Sequence, residues 1–207
     1  MAFDSLIFDL DGTLWDTCAQ CAKAWNNVLV SEGIDYRKIT AGDVRAVTGK
    51  PHEDCIRLTF SDLSEDQIER ISNATMIEDN RVIEEQGGIL YEGVIEGLNN
   101  LINRYPLFIV SNCQSGYIET FLRLNGLEVA FNDIECWGNT GLPKGQNLKN
   151  IIERNQLQNP LMIGDAEGDE IAARECSIPF AYVTYGFGTS VSPDLTFSSF
   201  ENLINSL

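Results

Sequence analysis

The chain has 207 residues, of which 43% are hydrophobic, and a formal net charge of -17. So acidic a chain has no basic stripe to neutralise a phosphate backbone, which excludes a nucleic-acid partner. No apolar stretch approaches the roughly 20 residues that span a bilayer, and the amino terminus lacks a basic region followed by an apolar segment. We therefore expect a cytoplasmic protein that does not bind membranes.

The first strong pattern is the apolar run Leu6-Ile7-Phe8, which predicts a buried strand. It opens into an acidic loop, and Gly12 permits the tight turn that such an exit needs. Apolar residues at helical spacing then predict a helix over residues 17–31, with Asp16 and Thr17 as its N-cap.

From there to about residue 86 the sequence has almost no strand signal. Val44 and Val47 fit a short helix that ends at Gly49. Two more helices are predicted over residues 51–58, where Pro51 can start the first turn, and over about residues 63–85. This stretch therefore reads as a helical insertion.

After residues 87–88, predicted strands and helices alternate. The strands cover residues 107–110, about 131–136, 161–163 and 180–184; the helices cover 94–104, 117–124, 144–154, 170–175 and 199–207. Short apolar strands that alternate with helices predict an α/β fold, a Rossmann-like doubly wound parallel sheet. We divide the chain into a core of residues 1–15 and 87–207 and an inserted α-helical cap of residues 16–86.

Six cysteines lie mostly in apolar or helical contexts. A chain of this size does not need disulfide staples, so we expect reduced thiols. The spacing Cys18-x-x-Cys21 also serves zinc and redox sites, but zinc would need a second pair or nearby histidines, and His52 is the only histidine. Buried helix cysteines are the favoured interpretation.

Polar residues follow three of the predicted strands: Asp9, Ser111 and Asp165. In parallel sheets, ligands bind beyond the carboxyl ends of the strands, so these side chains should meet at one edge. Carboxylates without a Cys/His cluster favour Mg²⁺ over zinc. Taken singly, an Asp beside Gly could form only a turn, and Ser111 could be a turn hydroxyl.

Four motifs occur in the order that the haloacid dehalogenase superfamily of phosphatases shows: Asp9-x-Asp11-Gly12-Thr13, Ser111-Asn112, Lys144, and Gly164-Asp165 followed by Asp169. The resemblance spans nearly the whole chain and points to the phosphoglycolate phosphatase and β-phosphoglucomutase-like subgroup with a helical cap. It implies a phosphatase that hydrolyses a small phosphorylated metabolite with Mg²⁺ as cofactor. We expect a monomer or a homodimer.

The resemblance also implies roles for the acidic residues. Asp9 would be the nucleophile that forms an aspartyl-phosphate, and Asp11 would be the general acid and base. Mg²⁺ would bind through the side chains of Asp9 and Asp165 and the backbone carbonyl of Asp11. Asp169 fits the second acidic position of the family, usually in the outer shell of the metal.

The phosphate group would be held by Ser111, by the backbone amide of Asn112 and by Lys144, again as the resemblance implies. Lys144 adds a point charge and Ser111 a hydroxyl donor, which together with the metal answer the repulsion between an acidic protein and an anionic substrate. Taken alone, Lys144 could equally be a solvated surface lysine.

Discrimination between leaving groups must come from outside this common site, and the inserted helices are the obvious candidate. Gly49 and Pro51 fix a turn between helices, while Lys50 and His52 concentrate positive charge in an acidic chain. The resemblance implies that this loop faces the active site and that the cap closes over the substrate. An ordinary solvated turn is the alternative.

Three other functions stay open. A receiver-type signalling domain also uses a phosphorylated Asp, but its Lys lies near the end of the chain, whereas Lys144 precedes Asp165. A β-phosphoglucomutase carries a His in its first cap helix where Cys21 stands here, so a phosphotransferase is the weaker alternative. A non-catalytic domain that binds a phosphate ligand is the third, because fold does not fix function.

Overall fold

The computed structural model describes residues 3–207. The strands are β1 (Ser5–Phe8), β2 (Trp15–Asp16), β3 (Ile89–Leu90), β4 (Leu107–Ser111), β5 (Asp133–Cys136), β6 (Pro160–Gly164), β7 (Phe180–Val183) and β8 (Leu195–Phe197). The helices are α1 (Cys18–Ser31), α2 (Ala41–Arg45), α3 (His52–Thr59), α4 (Glu65–Gln86), α5 (Val94–Leu101), α6 (Tyr117–Leu124), α7 (Trp137–Thr140), α8 (Lys144–Arg154), α9 (Glu167–Glu175) and α10 (Phe200–Ser206).

One sheet has the strand order β5-β4-β1-β6-β7-β8, and each neighbouring pair is parallel. Strand β1 lies inside the sheet, where Phe8 is opposite Ile109 of β4 and Ile163 of β6. The predicted α/β fold with a doubly wound parallel sheet is confirmed. This order brings the carboxyl ends of β1, β4 and β6 side by side.

Successive side chains of the sheet alternate between two apolar clusters, as the pleat of a strand requires. Ile7 of β1 belongs to one cluster, together with Leu148 of α8. Phe8 belongs to the other, where its ring lies 6.1 Å from that of Phe200 in α10. Helices thus cover both faces, which explains why the short strands are apolar throughout.

Helices α1 to α4 follow β2 and pack on one another, with α1 against α2 and α4, and α3 against α4. Trp25 of α1 and Phe60, which follows α3, are among the side chains buried there. Capping boxes at Thr40 and Ser64 begin α2 and α4, because each hydroxyl accepts a backbone N–H three residues later. No helix within residues 3–207 combines the length and apolarity needed to cross a membrane.

The elements that the sequence does not predict are all short. Strands β2 and β3 are two residues each and pair antiparallel, too briefly for alternation to be seen. Strand β8 lies at the sheet edge and is mostly exposed, so it lacks an apolar run. Helix α9 begins at Glu167, three residues before the predicted start. The acidic side chains of its first turn are stabilised by the positive N-terminal end of the helix dipole, which favours this earlier start.

Candidate active site

The carboxyl edge of the sheet brings three buried carboxylates together. Asp9 directly follows β1, Asp165 directly follows β6, and Asp169 lies in the first turns of α9. One carboxylate oxygen from each lies within 4.8 Å of the others, and their residues are at most 4% exposed. Three remote parts of the sequence therefore form one acidic cluster.

Lys144 supplies a cation to this cluster from the first residue of α8. Its ammonium group donates to Asp9 Oδ1 and, at 2.5 Å, to Asp169 Oδ1. Only 6% of Lys144 is exposed, so it is not a solvated surface lysine. Three carboxylates and one ammonium group carry a formal charge of about -2 when all are ionised. A bound divalent cation would balance this charge.

Asp165 is held by the backbone around it. Its Oδ2 accepts hydrogen bonds from the backbone N–H of Phe187 at 2.7 Å and of Gly188 at 3.1 Å. Gly12 lies so close that an added Cβ would be 2.3 Å from that oxygen, and its φ of +86° also favours glycine. Gly12 is therefore required both by the turn and by the carboxylate beside it.

Asp169 is occupied by contacts within the protein. Its Oδ2 accepts from the backbone N–H groups of Asp165 at 3.1 Å and Ala166 at 3.0 Å, while its Oδ1 accepts from Lys144. These bonds satisfy donors at the start of α9. Asp169 thus orients Asp165 and Lys144 at the same time.

Asp11 lies in a separate hydrogen-bonded group beside the cluster. Tyr117 donates to its Oδ1 at 2.7 Å and Thr17 at 3.1 Å. The hydroxyl of Thr17 therefore does not act as the N-cap of α1 that the sequence predicts; Asp16 Oδ1 accepts from the backbone N–H of Cys18 instead. Burial raises the pKa of Asp11 to about 6, against the lowering effect of the Tyr117 and Thr17 donors.

The cluster perturbs the protonation of its own members. Burial raises the pKa of Asp9 well above its ordinary value, although the charge of Lys144 opposes the shift. Burial, with the nearby charge of Asp169, raises the pKa of Asp165 to about 6. Burial would lower the pKa of Lys144, but the charges of Asp169 and Asp9 outweigh it and raise the pKa. Such shifts are typical of functional sites.

A cavity of about 70 Å³ opens above Asp9 and Asp11, between the sheet edge and helices α1 to α4. On the core side it is also lined by Ser111, which ends β4, and by Asn112. Asn112 Nδ2 donates to the backbone carbonyl of Gly49 at 2.8 Å, which joins the core to the loop before α3. Asp165, Asp169 and Lys144 are not among the residues that line this cavity.

The structure places Lys50 and His52 in the wall of the same cavity. Lys50 is exposed, whereas His52 is buried and its Nε2 lies 3.3 Å from Asp79 Oδ2. The loop is therefore not an ordinary solvated turn at His52. The sequence predicts that His52 adds positive charge to the loop. That prediction did not include the carboxylate of Asp79, which lies beside His52.

Four residues near the site were not singled out from the sequence: Thr17, Tyr117, Phe187 and Asp79. Tyr117 and Phe187 follow the strands β4 and β7, so their position at strand ends was the available signal. Asp79 lies in the middle of α4, four residues after Thr75 and three before Val82, so helical spacing places it on the buried face, and that periodicity was the available signal.

The acidic cluster fits a divalent metal. Its donors are carboxylate oxygens, which hard cations such as Mg²⁺ prefer, and no His or Cys belongs to it. Cys18 and Cys21 are free and buried in α1, the interpretation that the sequence favoured. The carboxylates of Asp9, Asp165 and Asp169 together carry more formal negative charge than Lys144 alone can balance.

Comparison with known proteins identifies the family of the chain. Residues 6–183 match the family model described as haloacid dehalogenase-like hydrolase. A phosphoglycolate phosphatase of Agrobacterium fabrum (strain C58 / ATCC 33970) is 27% identical over 214 residues, covering 97% of this chain and 91% of the relative. Another phosphoglycolate phosphatase, of Rhodobacter capsulatus, is 28% identical and covers 88% and 85% of the two chains.

The fold is also shared with solved structures. A haloacid dehalogenase-like family protein of Streptococcus pneumoniae superposes with a TM-score of 0.85 at 23% identity, covering 99% of this chain and 98% of that chain. A haloacid dehalogenase-like hydrolase of Bacteroides fragilis gives 0.85 at 23% identity over 98% and 100% of the two chains.

The chain belongs to the haloacid dehalogenase-like hydrolase family. The predicted class of enzyme, a phosphatase of that superfamily, is confirmed by the family match together with these relatives. The particular substrate is a separate matter, since neither curated relative reaches 30% identity.

Proposed function

We propose that the protein is a magnesium-dependent phosphatase that hydrolyses a small phosphorylated metabolite through an aspartyl-phosphate on Asp9. The observation that carries the proposal is the buried Asp9 carboxylate, which contacts Lys144 and also lines a cavity shared with Asp11 and Ser111. A nucleophile, an acid with a raised pKa and a hydroxyl donor are thus together where a phosphate ester could lie.

Mg²⁺ would be held by the side chains of Asp9 and Asp165 and by the backbone carbonyl of Asp11. When bound, the ion would neutralise charge on the phosphate so that a carboxylate can approach it. Asp169 would stay in the outer shell, since its oxygens already accept from Lys144 and from backbone N–H groups.

In the first step Asp9 would attack phosphorus, and the bond from phosphorus to the ester oxygen would break. Asp11, whose pKa of about 6 keeps part of it protonated near neutral pH, would give its proton to the leaving oxygen. Asp11, now a carboxylate, would then take a proton from the water that attacks the phosphorus of the aspartyl-phosphate. That second step releases inorganic phosphate and restores both carboxyl groups.

The transferred phosphate would be bound by the Ser111 hydroxyl and the backbone amide of Asn112, with Lys144 beside them. Because Lys144 is fixed between Asp9 and Asp169, its charge needs no reorganisation when a phosphate arrives. This preorganised charge offsets locally the repulsion of the acidic chain.

We also propose that residues 16–86 act as a cap over a core of residues 1–15 and 87–207. The cavity lies between α1 to α4 and the sheet edge, so the helices would cover a substrate bound there. Lys50 and His52 would contact the leaving group from the cap. Substituting either by Ala should raise the KM of the best substrate, and unchanged KM values in both variants would remove the loop from substrate recognition.

The proposal is tested by screening phosphorylated metabolites and p-nitrophenyl phosphate with Mg²⁺, comparing wild type with Asp9→Asn. This substitution preserves side-chain shape but removes the nucleophile, so turnover should be abolished while the protein stays folded. Asp35→Asn, the same change at an exposed position, is the matched control and should retain full activity. Equal rates in wild type and Asp9→Asn would refute the proposal.

A further inference from the structure

Helices α1, α3 and α4 contribute a buried polar cluster to the cavity wall, formed by Trp25, His52 and Asp79. Trp25 Nε1 donates to Asp79 Oδ2 at 3.2 Å, and His52 Nε2 lies 3.3 Å from the same oxygen. Asp79 is 2% exposed although it lies in the middle of a helix. Trp25 can only donate, which makes Oδ2 an acceptor oxygen of the carboxylate.

Two polar atoms of this cluster have no hydrogen-bond partner within residues 3–207: Asp79 Oδ1 and His52 Nδ1. A buried polar atom without a partner costs free energy, and native proteins contain few of them. Here both belong to residues that line one cavity, which the proposed nucleophile Asp9 also lines. Asn112, which lines the same cavity, has a third such atom, its Oδ1. Unpaired polar atoms gathered in one cavity indicate that a bound molecule completes them.

Burying the carboxylate of Asp79 lowers the free energy of unfolding of the protein. Burial raises its pKa, against the lowering effect of His52 and Trp25, so its ionised form is disfavoured in the folded protein. An apolar residue at this helix position would avoid that cost. Groups retained despite such a cost are typical of binding sites.

We propose that Asp79 and His52 select a phosphate ester whose alcohol part carries a further uncharged hydroxyl group, that is, a polyol monophosphate. The inference rests on the proposed phosphatase function and names its substrate class. A hydroxyl can donate its one hydrogen to Asp79 Oδ1 and accept from a donor at the same time, and a second hydroxyl of a polyol can donate to His52 Nδ1 where that nitrogen is an acceptor.

A carboxylate in the same place would meet the buried carboxylate of Asp79. Two carboxylates in a desolvated pocket cannot both stay ionised without a large cost, so an acidic leaving group binds only if one of the two holds a proton, a condition that a hydroxyl does not impose. Lys50 lines the same cavity but is exposed, so water partly screens its charge, which offsets this cost only in part. This chain therefore discriminates against phosphoglycolate, the substrate for which its curated relatives are named.

Three phosphate esters of similar size test this selectivity in the wild-type protein with Mg²⁺: hydroxyethyl phosphate, propyl phosphate and phosphoglycolate. The kcat/KM for hydroxyethyl phosphate should exceed each of the other two by about 10-fold or more, the effect of one hydrogen bond to a charged group. The p-nitrophenyl ester serves as a reference for the chemical step.

Asp79→Asn tests the residue itself. The amide oxygen should turn towards the Trp25 and His52 donors, which places the amide N–H₂ where Oδ1 was and replaces an acceptor by a donor. The ratio of kcat/KM for hydroxyethyl phosphate over phosphoglycolate should therefore fall by about 10-fold or more. Asp66→Asn, the same change at an exposed position of α4, should leave that ratio unchanged.

A wild type that prefers phosphoglycolate, or that hydrolyses hydroxyethyl and propyl phosphate equally well, overturns this inference and leaves the proposed function intact. An unchanged ratio in folded Asp79→Asn overturns it as well. If Asp79→Asn does not fold, the comparison of the three esters in the wild-type protein still decides whether the inference holds. Hydrolysis of none of them, nor of p-nitrophenyl phosphate, overturns the proposed function and this inference together.

Discussion

The phenol of Tyr117 donates a hydrogen bond to Asp11 Oδ1 at 2.7 Å, although 106 residues separate the two in the chain. The contact joins the first residue of α6 to the loop after β1, since both follow the carboxyl ends of parallel strands. It fixes the orientation of the carboxyl group proposed as the general acid. Tyr117 is thus a positioning residue for Asp11.

Tyr117→Phe should therefore lower kcat for p-nitrophenyl phosphate by about 10- to 100-fold, the usual effect of displacing a catalytic group by roughly 1 Å. The ring and its edge-on contact with Trp15 remain, so the fold should persist. Tyr105→Phe is a matched control, because the Tyr105 hydroxyl bonds only the backbone carbonyl of Leu207, away from the site. Equal kcat values in the two variants would contradict the role of Tyr117.

The metal prediction follows from the carboxylate cluster of Asp9, Asp165 and Asp169. A chelator should stop hydrolysis of p-nitrophenyl phosphate, and added Mg²⁺ should restore it. Ca²⁺ should bind but not restore activity, because its looser and higher coordination lets Asp9 bind through both oxygens and misdirects the nucleophile. Activity that persists in chelator, or that is equal in Ca²⁺ and Mg²⁺, would count against the proposed metal site.

Lys144→Met should destabilise the metal-free protein by about 3 kcal/mol, because removing one partner of a buried ion pair leaves uncompensated charge. The charges left behind are those of Asp9 and Asp169, which Lys144 contacts. Urea denaturation in chelator measures the free energy of unfolding. Lys149→Met, on the exposed side of the same helix, should change it by less than about 0.5 kcal/mol, and similar losses in both variants would show that the buried contacts are not the cause.

Asp79 should make stability fall as pH rises. Its pKa is raised by burial above the ordinary 3.8, with His52, Trp25 and Cys21 opposing the shift. The folded state therefore holds the proton more tightly than the unfolded state, and stability from this group is complete below pH 3.8 and is lost as pH rises through the raised pKa.

Asp79→Asn has no such group, so its free energy of unfolding relative to wild type should increase as pH rises from 3.8 through the raised pKa of Asp79. Denaturation at several pH values measures this difference, in which the other titrating groups largely cancel. Asp66→Asn should show no comparable trend, since Asp66 is exposed. A difference that is constant with pH would mean that Asp79 is not strained by its burial.

Much of the site was predictable because strand ends are visible in a sequence. Asp9, Ser111 and Asp165 each follow an apolar run, and parallel strands place such residues at one edge. Tyr117 also follows a strand end, and Asp79 falls on the buried stripe of α4, but the side chains that each contacts depend on how its helix is rotated against its neighbours. The two-residue strands β2 and β3 were missed for a related reason, since their pairing arises from tertiary contact and not from a local pattern.

The division into core and cap remains a prediction, and so do the roles of the site residues. What the structure adds is their environment: Asp11 next to two hydroxyl donors, Lys144 between two carboxylates, and His52 beside Asp79. None of these pairings follows from spacing along the chain. They depend on side-chain packing, which a single sequence does not encode in any local signal.

The central claim is that Asp9 carries the phosphoryl group during turnover. The most direct test mixes the protein and Mg²⁺ with a phosphate ester that bears a radiolabelled phosphoryl group, quenches in acid within one turnover, and maps the labelled peptide. We predict label on the peptide that contains Asp9 in wild type, more of it in Asp11→Asn, where hydrolysis of the aspartyl-phosphate lacks its base, and none in Asp9→Asn. Hydrolysis without protein-bound label, or label that persists in Asp9→Asn, would contradict the account.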